Sequence, residues 1–267
     1  MNSPASSYIM EDPREAMRLE LKVNGQAWVE KYLAQVLKPG DQVLSVGCGP
    51  GTILRQICAT DRSIHATGID ISAERIREAK QKNNVDTRLK FVQGDAHGMP
   101  FPANSFDLVY ARMLFEYLDN KEQAAAEMVR VCRPGGKVMF QDLDGQLLWN
   151  YPEEPALQKA LETVVTGLSK TGFDAFVGRK LFSLAHKAGL ENISVQVECY
   201  HLIAGEIQPD ILQQWQLKVE IALPQIARVL GSNQAAEDYG RRFIEYLRRP
   251  DTLTYSNVFT VTGQKPR

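Results

Sequence analysis

Short apolar segments alternate with amphipathic segments along the first half of the chain. The apolar segments are nearly continuous runs of Val, Ile, Leu and Phe, which is typical of strands buried on both faces of a parallel sheet. They occupy residues 42–46, 64–69, 89–93, 106–110 and 137–141. Stretches with helical spacing separate them, at residues 51–60, 73–83 and 121–132. This alternation predicts an α/β fold in which helices cover both faces of the sheet.

The pattern changes after residue 142. Two helices, a strand, a pair of helices and a final strand are predicted there, at residues 155–170, 178–188, 193–202, 209–230, 234–248 and 253–262. Gly231, Ser232 and Asn233 separate the two paired helices, and the pair stands between two strands. We interpret this insert as a cap on the sheet and not as a second domain. Upstream of the sheet, residues 14–37 have amphipathic helical spacing.

Composition and charge exclude several classes of partner. The chain has 31 Lys and Arg residues against 32 Asp and Glu residues, for a formal net charge of -1. This balance gives no reason to expect nucleic acid or a membrane surface as a partner. The four cysteines have no metal-binding spacing, so we expect no metal. Because the sequence shows no signal-peptide pattern and no apolar run long enough to span a bilayer, a cytoplasmic protein is expected.

A glycine-rich turn follows the first predicted strand. Residues 43–51 are VLSVGCGPG, so Gly47, Gly49 and Gly51 stand at alternate positions between a strand and a helix. Glycines there let the backbone pass close beneath a ligand, and the N-terminus of the helix offers free N–H groups. In an open sheet this edge is where nucleotides bind. Thr52 occupies the position that a dinucleotide fingerprint reserves for Gly or Ala, so the turn alone does not specify the nucleotide.

Acidic residues at the ends of two later strands point to an adenosine-containing ligand. Asp70 ends the second strand, about 20 residues beyond the turn, a spacing that suits a carboxylate bound to both ribose hydroxyls. Asp95 and Ala96 follow the third strand, and a carboxylate beside a free N–H suits the amino group and a ring nitrogen of adenine. Three strand ends therefore converge on one ligand.

The chain resembles class I S-adenosylmethionine-dependent methyltransferases in four successive motifs, VLSVGCGPG, GIDIS, GDAHGMPFPANSFDLVYAR and RVCRPGGKV. The resemblance covers residues 42–142 and is greatest to the branch that modifies small metabolites, including ubiquinone-biosynthesis-like C-methyltransferases. It implies a Rossmann-like, doubly wound sheet of seven mostly parallel strands with an antiparallel last strand, and a helical cap. It also implies S-adenosyl-L-methionine as the cofactor and a small-molecule methyl acceptor.

The same resemblance implies one methyltransferase domain over residues 1–267. We expect an N-terminal helical lid at residues 1–40, a cofactor-binding core at 41–145 and a helical cap insertion at 205–250. The lid and the cap are expected to form the acceptor pocket, and such parts vary freely on a shared scaffold. The sequence therefore leaves open the identity of the acceptor, the choice between O-, N- and C-methylation, and the oligomeric state.

The resemblance also implies a set of cofactor contacts. The glycine turn with Cys48 lies against the methionine part, Asp70 holds the ribose, and Ile71 packs on the adenine. The full set expected to bind the cofactor is Tyr8, Gly47, Cys48, Gly49, Asp70, Ile71, Asp95, Ala96, Arg112 and Met113. Many relatives have an acid where this chain has Ser45, a position that often helps to hold the cofactor's ammonium group. We expect that contact to be made through water or another residue.

Methyl transfer requires the acceptor and the methyl group to be held in line, and a general base is needed only for an acceptor such as a hydroxyl. The catalytic candidates are His201, Asp142 and Asp144. His201 ends a late strand expected to face the cap, while Asp142 and Asp144 follow the fifth strand. An NAD-dependent oxidoreductase and a non-catalytic cofactor-binding protein of the same fold are the alternative functions.

Overall fold

The computed structural model describes residues 24–267, apart from the side chain of Leu147. Tyr8 and most of the predicted N-terminal lid lie outside the described residues. The amphipathic stretch predicted at residues 14–37 contains a helix at Gly25–Tyr32, here called α1, which ends five residues earlier than predicted. The side chain of Asn24 accepts a hydrogen bond from the Ala27 N–H and so caps the N-terminus of this helix.

Seven strands form a single sheet. They are β1 Gln42–Val46, β2 His65–Asp70, β3 Leu89–Gln93, β4 Phe106–Arg112, β5 Cys132–Tyr151, β6 Glu191–Ala204 and β7 Leu253–Gln264. Their spatial order is β3-β2-β1-β4-β5-β7-β6, in which β1 to β5 pair in parallel and β7 is antiparallel to both of its neighbours. The predicted seven-stranded, mostly parallel sheet with an antiparallel last strand is confirmed.

Helices cover both faces of this sheet because its strands are apolar on both sides. The helices after α1 are α2 Thr52–Thr60, α3 Ala73–Lys82, α4 Lys121–Val131, α5 Pro155–Ser169, α6 Leu181–Lys187, α7 Pro209–Leu230 and α8 Asn233–Leu247. Val43 belongs to the core beneath α1, α2 and α3, whereas its neighbour Leu44 belongs to the core beneath α4 and α6. This alternation follows from the two-residue period of a strand. Within residues 24–267, no helix is long and apolar enough to cross a membrane.

The last three strands extend past the carboxyl edge of the sheet and carry the helical cap. Residues 149–151 of β5 and 203–204 of β6 pair with residues 253–255 of β7 in this extension. The helices α7 and α8 lie between β6 and β7, as predicted, and α5 packs with them although it precedes the predicted cap range. The shared core of these helices contains Leu157, Leu161, Trp215 and Phe243. The cap therefore has a hydrophobic core of its own.

The turn at residues 133–136 lies inside β5, whereas the sequence predicted a turn before a strand at 137–141. The pairing of β5 with β4 jumps from Cys132 to Lys137 while β4 advances only from Phe106 to Leu108. Three extra residues therefore form a bulge. A β-carbon on Gly136 would lie 2.8 Å from the Asp107 carbonyl oxygen and 2.9 Å from the Arg133 carbonyl oxygen.

Replacement of Gly136 by alanine is expected to destabilise the fold, because backbone atoms on both sides leave no room for a methyl group. Overpacking of this kind costs about 1–3 kcal/mol. Thermal and urea unfolding of Gly136→Ala would measure the loss. Gly98→Ala is the matched control, since a β-carbon on Gly98 meets no atom within 4 Å. Equal stability of the two variants would contradict this account of the bulge.

Candidate cofactor and acceptor site

The glycine turn is tied to the end of β2 by backbone hydrogen bonds. The Gly47 and Cys48 N–H groups both donate to the Ile69 carbonyl, at 2.8 and 3.0 Å. Gly47, Gly49 and Gly51 all have positive φ, at 70°, 52° and 78°. A β-carbon on Gly51 would lie 2.6 Å from the Phe91 ring, whereas one on Gly49 would meet no atom of residues 24–267 within 4 Å. Gly51 is thus required by packing, and Gly49 leaves open space above the turn.

The Asp70 carboxylate bridges this turn and the start of α3. One oxygen accepts from the Gly49 N–H at 2.8 Å, and the other accepts from the Ser72 N–H at 3.0 Å. Ser72 is the N-cap of α3, because its side chain accepts a hydrogen bond from the Arg75 N–H. The carboxylate is half-buried. Its two oxygens retain lone pairs with which they can accept further hydrogen bonds, such as those from a diol.

Cys48 faces the protein interior and contributes its backbone to the turn. Its sulfur lies so close to β2 that a β-carbon on Gly68 would stand 2.6 Å from Sγ. Burial, together with the nearby Asp70 charge, raises the pKa of the Cys48 thiol well above its ordinary value. The thiol is therefore un-ionised near neutral pH and is a poor nucleophile.

The loop after β3 holds an exposed carboxylate in a fixed position. One oxygen of Asp95 accepts from the His97 N–H at 2.9 Å and lies 2.7 Å from His97 Nδ1. The other ring nitrogen of His97 lies 3.2 Å from an Asp119 oxygen. Ala96 is buried in the core, and Ile71, after β2, is 42% exposed. An apolar surface at Ile71 and an acceptor at Asp95 thus follow adjacent strands at the carboxyl edge of the sheet.

The chain after β4 passes beneath the glycine turn. The Met113 N–H donates to the Gln141 carbonyl at 2.8 Å, and Met113 has a φ of 52°. A β-carbon on Gly47 would lie 2.9 Å from a Leu114 methyl carbon, so the two segments are in contact. The Arg112 guanidinium donates to the Tyr200 hydroxyl at 3.3 Å. Sequence reasoning missed Tyr200, because nothing in a linear pattern relates two residues on strands that are not neighbours.

Ser45 is buried on the α1 side of the sheet. It is 4% exposed and pairs in register with Gly68 on one side and Tyr110 on the other. The Tyr110 ring lies 5.5 Å from the Trp28 ring of α1, and burial raises the pKa of the Tyr110 phenol. A carboxylate in place of Ser45 would lie among these aromatic rings, so the missing acid is consistent with the local packing.

The two aspartates predicted after β5 lie within it and are both buried. Asp142 is 0% exposed, and its oxygens accept from the Leu143 N–H at 2.8 Å and the Glu116 N–H at 3.2 Å. Burial, and then the Glu116 charge, raise the pKa of Asp142 well above its ordinary value. Asp144 accepts hydrogen bonds from the Arg179 guanidinium, the shortest at 2.6 Å. Asp144 thus anchors the turn before α6.

His201 lies inside β6 and contacts the cap, as its position predicts. Its ring lies 5.0 Å from the Trp215 ring of α7 and 4.3 Å from the Tyr200 ring. Its Nδ1 is 3.4 Å from the Ser256 hydroxyl, and its φ of 54° marks an irregularity between Tyr200 and Ile203. The structure therefore gathers the glycine turn, Asp70, Asp95 and Met113 along one edge. It places His201 against the cap and beside Tyr200, whose hydroxyl accepts from Arg112.

Known proteins resemble this chain in sequence. Residues 44–140 match the family model for a methyltransferase domain. The chain is 35% identical over 130 residues to 2-methyl-6-phytyl-1,4-hydroquinone methyltransferase of Synechocystis sp., covering 47% of this chain and 41% of the relative. It is 42% identical over 112 residues to a sterol 24-C-methyltransferase of Gibberella zeae, covering 40% of this chain and 29% of the relative. The chain spans less than half the length of these two relatives.

A solved structure shares the fold over nearly the whole chain. It is phosphoethanolamine N-methyltransferase 2 of Haemonchus contortus, in complex with phosphomonomethylethanolamine and S-adenosylhomocysteine. The TM-score is 0.63 at 17% identity, covering 99% of this chain and 61% of that chain. At this identity the likeness shows the fold alone. Residues 44–140 of this chain thus match a methyltransferase domain.

Proposed function

We propose that this protein transfers a methyl group from S-adenosyl-L-methionine to a small-molecule acceptor. The observation that carries the proposal is the Asp70 carboxylate, bound to the Gly49 and Ser72 N–H groups in a chain whose sheet matches a methyltransferase domain. The open space above Gly49 fits a ligand that lies across the turn. When bound, the cofactor supplies an electrophilic methyl group on a sulfonium.

The residues at the carboxyl edge have the donors and acceptors that such a cofactor needs. Asp70 is proposed to accept hydrogen bonds from the ribose hydroxyls, while Ile71 covers one face of the adenine and Asp95 accepts from its amino group. The turn backbone at Gly47 to Gly49, with the chain at Arg112 and Met113, is proposed to hold the amino-acid end. Tyr8, outside the described residues, is proposed to add an aromatic face toward the sulfonium.

The acceptor is proposed to be a small specialised metabolite bound between the sheet edge and the cap. The named relatives act on a hydroquinone and a sterol, which are both small molecules. A net charge of -1 gives no general attraction to nucleic acid. We also propose that the protein is located in the cytoplasm. The proposed arrangement is a single domain with three parts. These are a lid at residues 1–40, the cofactor-binding core at 41–145, and the cap at 205–250, which α5 joins.

His201 is the residue that we propose as general base if the acceptor requires one. It is half-buried and adjoins Trp215 of the cap, whereas Asp142 is fully buried and both oxygens of Asp144 bind Arg179. An acceptor must reach a base to within hydrogen-bond distance, so burial and prior pairing favour His201 over the two aspartates.

The proposal is tested by calorimetry with S-adenosylhomocysteine and with NAD, followed by an acceptor panel of hydroquinones, sterols, amines and carboxylic acids. Acceptor-dependent formation of S-adenosylhomocysteine from S-adenosylmethionine would support it. Binding of NAD alone would favour an oxidoreductase. Tight binding of S-adenosylhomocysteine with no turnover across the panel would favour a non-catalytic protein of the same fold.

Asp70→Asn is expected to weaken binding of S-adenosylhomocysteine by about 1–3 kcal/mol, because hydrogen bonds from the ribose to a charged acceptor are lost. Calorimetry measures the dissociation constant, and the melting temperature without ligand reports any damage to the turn. Glu162→Gln, on the surface of α5, is the control for removal of one negative charge. An unchanged dissociation constant in Asp70→Asn would contradict this placement of the ribose.

His201→Asn is expected to lower kcat by about 10²–10⁴-fold with an acceptor that loses a proton, and to abolish the acidic limb of the pH–rate profile. Asparagine tolerates the positive φ at this position, so the bulge in β6 is preserved. Affinity for S-adenosylhomocysteine should not change. His186→Asn, on α6, is the matched control. An unaltered pH profile in His201→Asn would remove this histidine from proton transfer.

Asp142→Asn is expected to make stability less dependent on pH. The raised pKa of Asp142 means that the folded state binds its proton more tightly than the unfolded state. Wild-type stability should therefore fall as pH rises from the ordinary aspartate pKa, near 4, through the raised value. Asparagine resembles the protonated carboxyl and does not titrate, so its stability relative to wild type should increase with pH. Melting temperatures from pH 5 to 8 measure this, and parallel curves would contradict it.

A further inference from the structure

A polar groove of about 670 Å³ lies on the α1 side of the sheet. Its floor is formed by β5, β7 and β6, and its walls are formed by the end of α1 and by the bulge at residues 133–136. Lys137 in the floor pairs with Leu108, whereas Gln141 pairs with Arg112 at the cofactor edge. Four residues of strand, or about 13 Å, separate Lys137 from Gln141. The floor extends from Lys137 to Thr260, which pairs with Gln141. We call this feature the basic groove.

The basic groove exists because the helices on this face, α1, α2 and α3, lie over β1, β2 and β4 and not over β7 and β6. The core beneath α1, α2 and α3 is formed mainly with β1, β2 and β4, and only α1 reaches toward β6. The rows of β7 and β6 that no helix of residues 24–267 covers are polar where they face the groove, at Thr260, Thr262, Ser194 and Gln196. Hydroxyl and amide groups on this floor can donate hydrogen bonds to a ligand.

The charge in the basic groove is predominantly positive. Five cationic side chains line it against the two carboxylates of Asp41 and Asp107. Arg133 binds Asp107 at 2.8 Å, and Lys31 binds Glu198 at 2.7 Å. These two cations are already neutralised by ion pairs.

The three other cations are Lys38, Lys137 and Arg267, and none of them forms an ion pair with a carboxylate of residues 24–267. Lys137 is half-buried in the floor, whereas Arg267 is exposed at the rim. The Asp41 carboxylate lies near Lys38 and offsets part of this charge, so the lining keeps a net positive charge. A net positive charge in one concave surface favours an anion.

The walls of the basic groove are held by hydrogen bonds. The Gly135 N–H donates to the Lys265 carbonyl at 2.9 Å, and the Lys265 N–H donates to the Gly136 carbonyl at 3.0 Å. A β-carbon on Gly135 would lie 3.7 Å from the Arg267 side chain, so Arg267 lies over this bulge. On the opposite wall, the Lys38 N–H donates to Asp41 at 2.8 Å. The cationic groups therefore project from ordered backbone.

We propose that the basic groove binds a small polyanion of the phosphate class, at a site distinct from the cofactor edge. Ammonium and guanidinium groups from three directions, with hydroxyl and amide donors below, match the several acceptor oxygens of a phosphate or diphosphate. The volume is that of a small-molecule site. Lys137 lies about 13 Å along β5 from Gln141, so a ligand bound at Lys137 is not expected to displace the cofactor.

The test is calorimetric titration of the full-length protein with inorganic pyrophosphate at low ionic strength in a buffer free of phosphate. Lys137→Met removes the central charge and keeps an unbranched apolar side chain. Lys159→Met is the matched control, because Lys159 is an exposed lysine on α5, in the cap. Lys137→Arg restores the charge, and melting temperatures show whether each variant is folded. S-adenosylhomocysteine is titrated separately into every variant.

Saturable binding with one site per chain is expected, weakened at least tenfold in Lys137→Met, retained in Lys137→Arg and unchanged in Lys159→Met. Affinity for S-adenosylhomocysteine should be the same in all of them. Absence of saturable binding, or equal affinity in Lys137→Met and wild type, would overturn the proposal. Binding of a single-stranded oligonucleotide in preference to pyrophosphate would also overturn it, since that outcome indicates a nucleic-acid surface.

Discussion

The hydrogen bonds between β2 and the glycine turn are the constraint on which the candidate site depends. Ile69 accepts two N–H groups of the turn, and Asp70 accepts a third. Three residues with positive φ would otherwise be free to adopt many conformations, and their ordering costs backbone entropy. The same carboxylate that fixes the turn also binds the first turn of α3. A single side chain thus positions two backbone segments while retaining lone pairs for a ligand.

Side chains packed against glycines also fix the ends of the neighbouring strands. Cys48 fits against Gly68, Phe91 fits against Gly51, and Leu114 fits against Gly47. In each pair the glycine is required because a neighbouring side chain occupies the space where a β-carbon would stand. The ends of β1, β2, β3 and β4 are therefore packed against one another, and the proposed cofactor-binding residues among 24–267 lie at this edge.

The second half of the chain has a different organisation. The cap has its own hydrophobic core and reaches the sheet through the extended ends of β5, β6 and β7. His201 lies where these strands meet α7, so its position depends on how the cap is held. On the opposite side, the displacement of the covering helices leaves the basic groove open. The two halves of the sheet therefore present different surfaces, one at the carboxyl edge and one over the antiparallel strands.

The sequence by itself determined the alternation of strands and helices, the glycine turn and the place of Asp70 at the end of the second strand, because these follow from local periodicity and short spacing. Only the tertiary structure decided that Asp142 is fully buried, that Asp144 binds Arg179, and that α5 joins the cap. These outcomes depend on contacts between residues far apart in the chain. Burial and ion pairing are properties of such contacts, and a linear pattern of apolar and polar positions does not encode them.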